Sequence, residues 1–232
     1  MTFLKANWKN LILINYEINP EILKPYIPKG TELDLFNNKC YISLVGFMFL
    51  NTKVLGIKLL NHINFEEINL RFYVKRKEKR GVVFIKEIVP KPLITFIANS
   101  LYKEHYQTLK MKHLWMHDEK FKHFEYQWLL NDKWQSVSVK TEKKPSAIVE
   151  NSVEEFITEH YFGYTKHHDT TFEYEVEHPI WQHLKVKDLK IDVDFEETYG
   201  IDFKFLNHSK PESVILAIGS KISVKNKKKL QN

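Results

Sequence analysis

The stretch from Phe65 to Ile85 constrains the fold most, because it predicts a β-hairpin. One arm runs to Val74, a charged turn covers residues 75–80, and Gly81 opens the second arm. Side chains alternate between the two faces of a strand. One face of the first arm is mostly apolar and is predicted to pack in a core: Glu66, Ile68, Leu70, Phe72 and Val74. The opposite face carries a polar row between two aromatic residues: Phe65, Glu67, Asn69, Arg71 and Tyr73.

The polar row of Glu67, Asn69 and Arg71 has two interpretations. On a solvated face, Glu67 and Arg71 would form a weak surface ion pair. In a pocket, Arg71 would hold Glu67 ionised and still leave donors for an anionic ligand. The pattern alone favours the solvated face, because polar strand faces usually contact water.

The rest of the chain predicts a mainly β protein with a few short helices. The 16 Phe and 11 Tyr favour strands, and 232 residues are enough to bury a full core. Many short strands fit a barrel or a sandwich, and residues 1–224 are predicted to form a single domain. Strands are predicted over 8–18, 31–36, 39–51, 108–115, 121–130, 133–140, 162–167, 170–177, 181–193 and 213–224. Helices are predicted after the caps Asn19 and Ser152, over 93–102 and over 194–200, and residues 140–152 are predicted to be a loop.

Charge and cysteine content bound the partners and the compartment. The formal net charge is +6, and much of the excess lies in residues 225–232, which we predict to be a disordered basic tail. We therefore expect no specific nucleic-acid partner, although binding of the tail to nucleic acid or to an anionic membrane remains an alternative. The lone Cys40 suits a reducing cytoplasm. No secretory leader is visible and no apolar run is long enough to span a membrane, so we expect a cytoplasmic protein without membrane insertion.

Motifs for cofactors and metals are missing from the sequence. The seven scattered Gly form no phosphate-binding loop, and there is no Gly-x-Ser-x-Gly turn. His113 and His117 are four residues apart, but no Glu follows His113 and no Cys pair accompanies them. We therefore expect neither a metal nor a cofactor.

Six segments of the chain occur in a recognisable order: Trp8-Lys9-Asn10-Leu11, residues 19–28, residues 65–74, Gly81-Val82-x-Phe84, residues 155–161 and His178-Pro179-x-Trp181. Together they resemble the DUF2071 family of uncharacterised YqjF-like proteins. That family resembles a branch of the acetoacetate decarboxylase-like superfamily, whose fold is a closed antiparallel β barrel around a central cavity. The resemblance implies that the Glu67 face lines a pocket. It also makes a homo-oligomer possible, because relatives in the decarboxylase branch form large assemblies.

The resemblance argues against decarboxylation through a Schiff base. That mechanism needs a lysine that forms an imine and a neighbouring lysine that lowers its pKa. In the equivalent segment of this chain, Tyr106 and Gln107 occupy the positions of the lysine pair. A phenol or an amide forms no imine, so the resemblance supports the fold and the cavity and not this activity.

The leading hypothesis is a cavity that binds a small carboxylated or oxygen-rich molecule. Arg71 would pair with an anionic group, Asn69 would orient it, Glu67 would accept a hydrogen bond or a proton, and Tyr106 would donate from the opposite wall. His105 is a further candidate for ligand binding. One alternative is an enzyme that acts on a carbonyl compound, with Glu67 as general base and Tyr106 as general acid. The other is a structural or oligomerisation module whose barrel is filled by bulky side chains.

Overall fold

A computed structural model describes residues 2–230, which form a mainly β protein. The strands are β1 (Thr2–Glu17), β2 (Glu32–Leu33), β3 (Tyr41–Val54), β4 (Phe65–Arg76), β5 (Lys79–Val89), β6 (Tyr106–Thr108), β7 (Met111–His117), β8 (Lys122–Leu130), β9 (Lys133–Ala147), β10 (Phe162–His167), β11 (Thr170–Glu177), β12 (Gln182–Asp192), β13 (Ser213–Ala217), β14 (Lys221–Lys225) and β15 (Lys228–Lys229). The α-helices are α1 (Pro20–Leu23), α2 (Pro92–Ile97), α3 (Val153–Thr158) and α4 (Phe195–Tyr199). A π-helix covers Ala98–Tyr102, and 3-10 helices cover Lys24–Tyr26 and Ile201–His208. None of the described helices is long and apolar enough to cross a membrane.

Seven strands close into a barrel, which confirms the predicted fold. The order is β1, β3, β4, β5, β10, β11 and β14, and β14 pairs again with β1. These pairs are antiparallel except β5 and β10, which are parallel at Gly81 and Phe162. A Cβ at Gly81 would lie 2.6 Å from the Phe162 carbonyl oxygen, so this close approach requires glycine.

The same sheet continues from β1 through β13, β12, β9, β8 and β7, and this part packs on the outside of the barrel. The first part of β1 pairs with β14, whereas Leu11–Asn15 pairs with β13. The outer face of β4, with Ile68 and Phe72, packs against Tyr126 and Trp128 of β8 in the larger hydrophobic core. This contact confirms that the apolar face of the hairpin is a core face. Its opposite face therefore points into the barrel.

The hairpin and the capped helices form as predicted, and several predictions about extent are wrong; β1, for example, begins at Thr2 and not at Trp8. The Asn19 side chain accepts from the Glu21 backbone N–H, and Ser152 caps α3 in the same way. The predicted loop over 140–152 is strand to Ala147, because β9 stays paired with β12 to that residue. The predicted strand over 213–224 is divided at Gly219, whose φ is +81°. Within the tail predicted to be disordered, Lys228–Lys229 pairs with β11, and residues 231–232 lie outside the described part of the chain.

Candidate functional site

A cavity of about 120 Å³ lies inside the barrel. Most of its wall is aromatic or aliphatic, and the polar groups converge from β4, β5, β11 and the segment that enters β6. An apolar cavity with a few convergent polar groups is the usual form of a small-molecule site. The aromatic wall includes Trp8, Phe47, Phe49, Phe65, Phe84 and Trp181.

The polar row of β4 faces this cavity and not the solvent. Glu67, Asn69 and Arg71 all line it and are all buried. The Asn69 amide donates to Glu67 Oε1 over 2.9 Å. The three polar side chains that alternate along β4 in the sequence therefore all line the cavity.

Tyr106 faces Glu67 from the neighbouring wall and donates to its Oε2 over 3.1 Å. The Asn99 side chain fixes the Tyr106 backbone: its amide donates to the Tyr106 carbonyl over 2.9 Å, and its oxygen accepts from the Tyr106 N–H over 2.8 Å. Strand β6 also pairs in parallel with β5 at this point. The Tyr106 phenol is therefore held in position because Asn99 and β5 fix the Tyr106 backbone.

His105 does not reach the cavity, although the sequence made it a candidate. It is exposed, and its backbone carbonyl accepts from the Glu87 N–H. The buried residue of this segment is Glu104, whose Oε1 accepts from Thr165 over 2.5 Å and from Tyr174 over 3.0 Å. Lys103 ends the π-helix in the left-handed conformation, and from there Glu104 and Tyr106 line the cavity while His105 faces outward.

Glu87 is a second cavity carboxylate that the sequence reading missed. On β4, Arg71 pairs with Phe84 of β5, and Asn69 pairs with Glu87 of β5. The two β4 residues are two positions apart, whereas their β5 partners are three positions apart. This β-bulge reverses the alternation of β5 and turns Glu87 inward. Strict alternation from Phe84 would instead have placed Lys86 in the cavity.

Burial makes the three cavity carboxylates weak acids. It raises the pKa of Glu67 to about 7, although hydrogen bonds from Asn69 and Tyr106 and the charge of Arg71 oppose the change. Burial also raises the pKa of Glu104 to about 7, against the hydrogen bonds from Thr165 and Tyr174. The pKa of Glu87 is raised well above its ordinary value by burial and by the charges of Glu104 and Glu67. Glu67 and Glu104 can therefore take up and release protons near neutral pH.

The Arg71 guanidinium has no ion-pair partner in residues 2–230. No carboxylate oxygen of the described chain lies within 4.0 Å of it, and its Nε is buried without a hydrogen-bond acceptor. A buried, unpaired charge is costly. Arg71 is also the sole Lys or Arg among the described lining residues.

Two histidines complete the wall. His160 Nε2 lies 3.1 Å from Asp34 Oδ2, which also accepts from Arg80, and burial lowers the pKa of His160 to about 4. The His178 ring stacks on Trp181 with centroids 4.3 Å apart. Neither histidine joins a metal-binding group, since the described chain holds no cluster of three or more His, Cys, Asp or Glu suited to an ion.

Comparison with solved structures gives the same fold at low sequence identity. The enduracididine biosynthesis enzyme MppR complexed with pyruvate superposes with a TM-score of 0.68 and 9% identity, over 100% of this chain and 91% of that one. The acetoacetate decarboxylase from Legionella pneumophila superposes with a TM-score of 0.68 and 11% identity, over 99% of this chain and 87% of that one. An acetoacetate decarboxylase-like enzyme from Sphingomonas wittichii RW1 superposes with a TM-score of 0.64 and 9% identity, over 100% of this chain and 94% of that one. The chain therefore has the acetoacetate decarboxylase-like fold.

Sequence comparison identifies the family. The uncharacterized protein YqjF of Bacillus subtilis is 29% identical over 82 residues, which are 35% of this chain and 34% of YqjF. The match thus spans about a third of that relative. The family DUF2071, described as an uncharacterized conserved protein, matches residues 5–221. With nearly its whole length matched, the chain belongs to the DUF2071 family.

Proposed function

We propose that this protein binds a small carboxylate inside the barrel, with Arg71 as the partner of the anionic group. The observation that carries the proposal is the buried guanidinium without an ion pair, whose Nε lacks an acceptor. An anionic ligand would supply both the missing charge and the missing acceptor. MppR, which shares the fold, is complexed with pyruvate, and this supports a small carboxylate as the ligand class.

The proposal does not pass through a Schiff base, because no lysine is among the described lining residues and Tyr106 stands where the resemblance places the first lysine. Borohydride reduction in the presence of acetoacetate should therefore leave the protein mass unchanged. A covalent adduct would contradict this part of the proposal.

The cavity itself also argues against the alternative of a structural module whose barrel is filled by its own side chains.

The test measures thermal unfolding with pyruvate, acetoacetate and the neutral ester methyl pyruvate. A ligand at a hundredfold excess over its Kd stabilises by about 2.7 kcal/mol, which raises the Tm of a chain of this size by about 5–10 °C. We expect this rise with the acids and not with the ester. In Arg71→Met the rise should disappear, while the matched control Arg76→Met, at the end of the same strand and outside the cavity, should keep it. Equal responses of the two variants would refute the role of Arg71.

A second candidate function is proton transfer at a carbon next to a carbonyl group. It is favoured by one observation: the pKa of Glu67 is about 7, and the carboxylate accepts from Tyr106 in the apolar cavity. A general base works best when its pKa is near the working pH. The ionised Glu67 would take a proton from the carbon, and the enolate oxygen would accept a hydrogen bond.

The second candidate predicts that the protein exchanges the methyl protons of pyruvate with deuterium in D2O, as followed by NMR. Glu67→Gln should abolish exchange and leave binding within a few-fold. Glu66→Gln is the matched control, because Glu66 lies on the opposite face of β4 beside His113. Exchange that survives in Glu67→Gln would exclude Glu67 as the base, and binding without any exchange would leave a binding protein.

A further inference from the structure

Two buried acceptors lie side by side in the cavity without donors. Asn69 Oδ1 and Glu87 Oε2 have no hydrogen-bond partner among the described residues, and the two residues are 1% and 2% exposed. They are directly opposite in the register of β4 and β5. Opposed side chains on one sheet face have Cβ atoms about 5 Å apart, so one donor group can reach both oxygens.

The orientation of the Asn69 amide is fixed by its neighbour. Its Nδ2 donates to Glu67 Oε1 over 2.9 Å. Turning the amide over would direct Oδ1 at a carboxylate oxygen and lose that bond. Asn69 Oδ1 therefore remains an acceptor that points away from Glu67 and needs an N–H or O–H from elsewhere.

The balance of charge in the cavity indicates what the missing donor is. Three carboxyl groups line it, those of Glu67, Glu87 and Glu104, against the single guanidinium of Arg71. When Arg71 pairs with an anionic ligand, the described lining has no further cationic side chain of Lys or Arg to pair with a carboxyl group that ionises. A ligand that also carries a cationic nitrogen would stabilise the ionised form of Glu87 and donate to the two free acceptors, and aromatic walls favour such a cation as well.

We propose that the ligand is a small amino carboxylate whose ammonium group donates to Asn69 Oδ1 and Glu87 Oε2 while its carboxylate pairs with Arg71. This inference rests on the proposed function and narrows its substrate class. Asn69 and Arg71 are two residues apart on β4, which is about 6.6 Å along a strand. The long side chains of Arg71 and Glu87 can converge on a molecule whose charged groups are a few bonds apart.

Binding of the ammonium group should release a proton. Burial and the charges of Glu104 and Glu67 raise the pKa of Glu87 well above its ordinary value in the empty cavity, which favours the protonated form. A cation beside it favours the ionised form, and the displaced proton leaves to the buffer. The titratable and charged groups that share the cavity with Glu87 are Glu67, Arg71, Tyr102, Glu104, Tyr106, His160, Tyr174 and His178.

The experiment is a calorimetric titration with matched pairs of probes that differ only in the amino group. The pairs are glycine with acetate, β-alanine with propanoate, 4-aminobutanoate with butanoate, and L-phenylalanine with 3-phenylpropanoate. At least one amino compound should bind about tenfold or more tighter than its partner. Glu87→Gln should reduce that preference to near unity, and the control Glu66→Gln should retain it. Titration of the unmodified protein in phosphate and in Tris should show proton release that accompanies the amino compounds only.

Each outcome decides between the two proposals. Equal binding within every pair, or a preference for the acids without nitrogen, overturns this inference and leaves the proposed function standing. Binding of neither member of any pair, together with no thermal stabilisation by other carboxylates, overturns both. The proton count needs no variant, so the inference is refuted by an absence of proton release even where Glu87→Gln fails to fold.

Discussion

Glu104→Gln should remove a part of the pH dependence of stability without changing the packing. The Thr165 hydroxyl and the Tyr174 hydroxyl both donate to the same oxygen, Oε1. A glutamine keeps that oxygen as an acceptor, so both hydrogen bonds can persist. What the substitution removes is the ability to ionise inside the barrel.

The magnitude follows from the pKa of Glu104, which burial raises from 4.5 to about 7. One pKa unit corresponds to about 1.36 kcal/mol, so the ionised form costs about 3 kcal/mol in the folded state. Because the folded pKa is the higher one, the folded chain holds the proton longer. The contribution of Glu104 is complete below pH 4.5 and is lost as the pH rises through 7. The variant should therefore match the unmodified protein at pH 4.5 and exceed it by about 3 kcal/mol at pH 9.

Urea unfolding at pH 4.5, 6, 7.5 and 9 measures this difference through the midpoint and the slope of each transition. Glu175→Gln is the matched control, since Glu175 follows Tyr174 on β11 but is exposed, and a surface change of this kind shifts stability by less than about 0.5 kcal/mol. Parallel stability curves for Glu104→Gln and the unmodified protein would refute the argument that Glu104 is neutral in the folded state.

Three further changes test the groups around the cavity by urea unfolding. Arg71→Met should stabilise the ligand-free protein by about 1 kcal/mol or more, because an apolar side chain replaces a buried charge without an ion pair; destabilisation would indicate that Arg71 is already compensated. Asn99→Ala should cost about 1–3 kcal/mol through the loss of both hydrogen bonds to the Tyr106 backbone. Gly163→Ala should cost about 2 kcal/mol or more, since its Cβ would lie 2.1 Å from the Tyr174 ring, and a neutral result would mean that this ring moves freely.

The alternation of β4 could be predicted because nothing interrupts it. From Phe65 to Phe72 each residue pairs in sequence with β3, and the two faces separate as period two requires. The sequence could not tell whether the polar face meets water or a cavity. That depends on closure of the barrel by β14 against β1, a contact between the two ends of the chain. The family resemblance predicts that the barrel closes, whereas the local sequence pattern does not.

Glu87 and Glu104 show a different limit of sequence reasoning. A β-bulge opposite Leu70 and Arg71 changes which side chains of β5 face the cavity. The left-handed Lys103 does the same for the segment that follows it. A β-bulge leaves no mark in the composition of β5, and a left-handed lysine is unusual. The sequence therefore points to His105 as a cavity residue, whereas the structure places the adjacent Glu104 there.

The pH dependence of affinity separates the two ligand classes by the difference between their slopes. An ammonium group at Glu87 must displace a proton, so below the pKa of Glu87 this contact should make the affinity for an amino carboxylate rise with pH, by at most about tenfold per pH unit for one proton. A carboxylate without nitrogen gains nothing from that ionisation. The carboxylate of either ligand lies near Glu67, whose pKa is about 7, so both affinities carry the same decrease as Glu67 ionises and repels it. Titrations from pH 6 to pH 9 should therefore give a more positive slope for β-alanine than for propanoate, and equal slopes would exclude Glu87 as the partner of a cation.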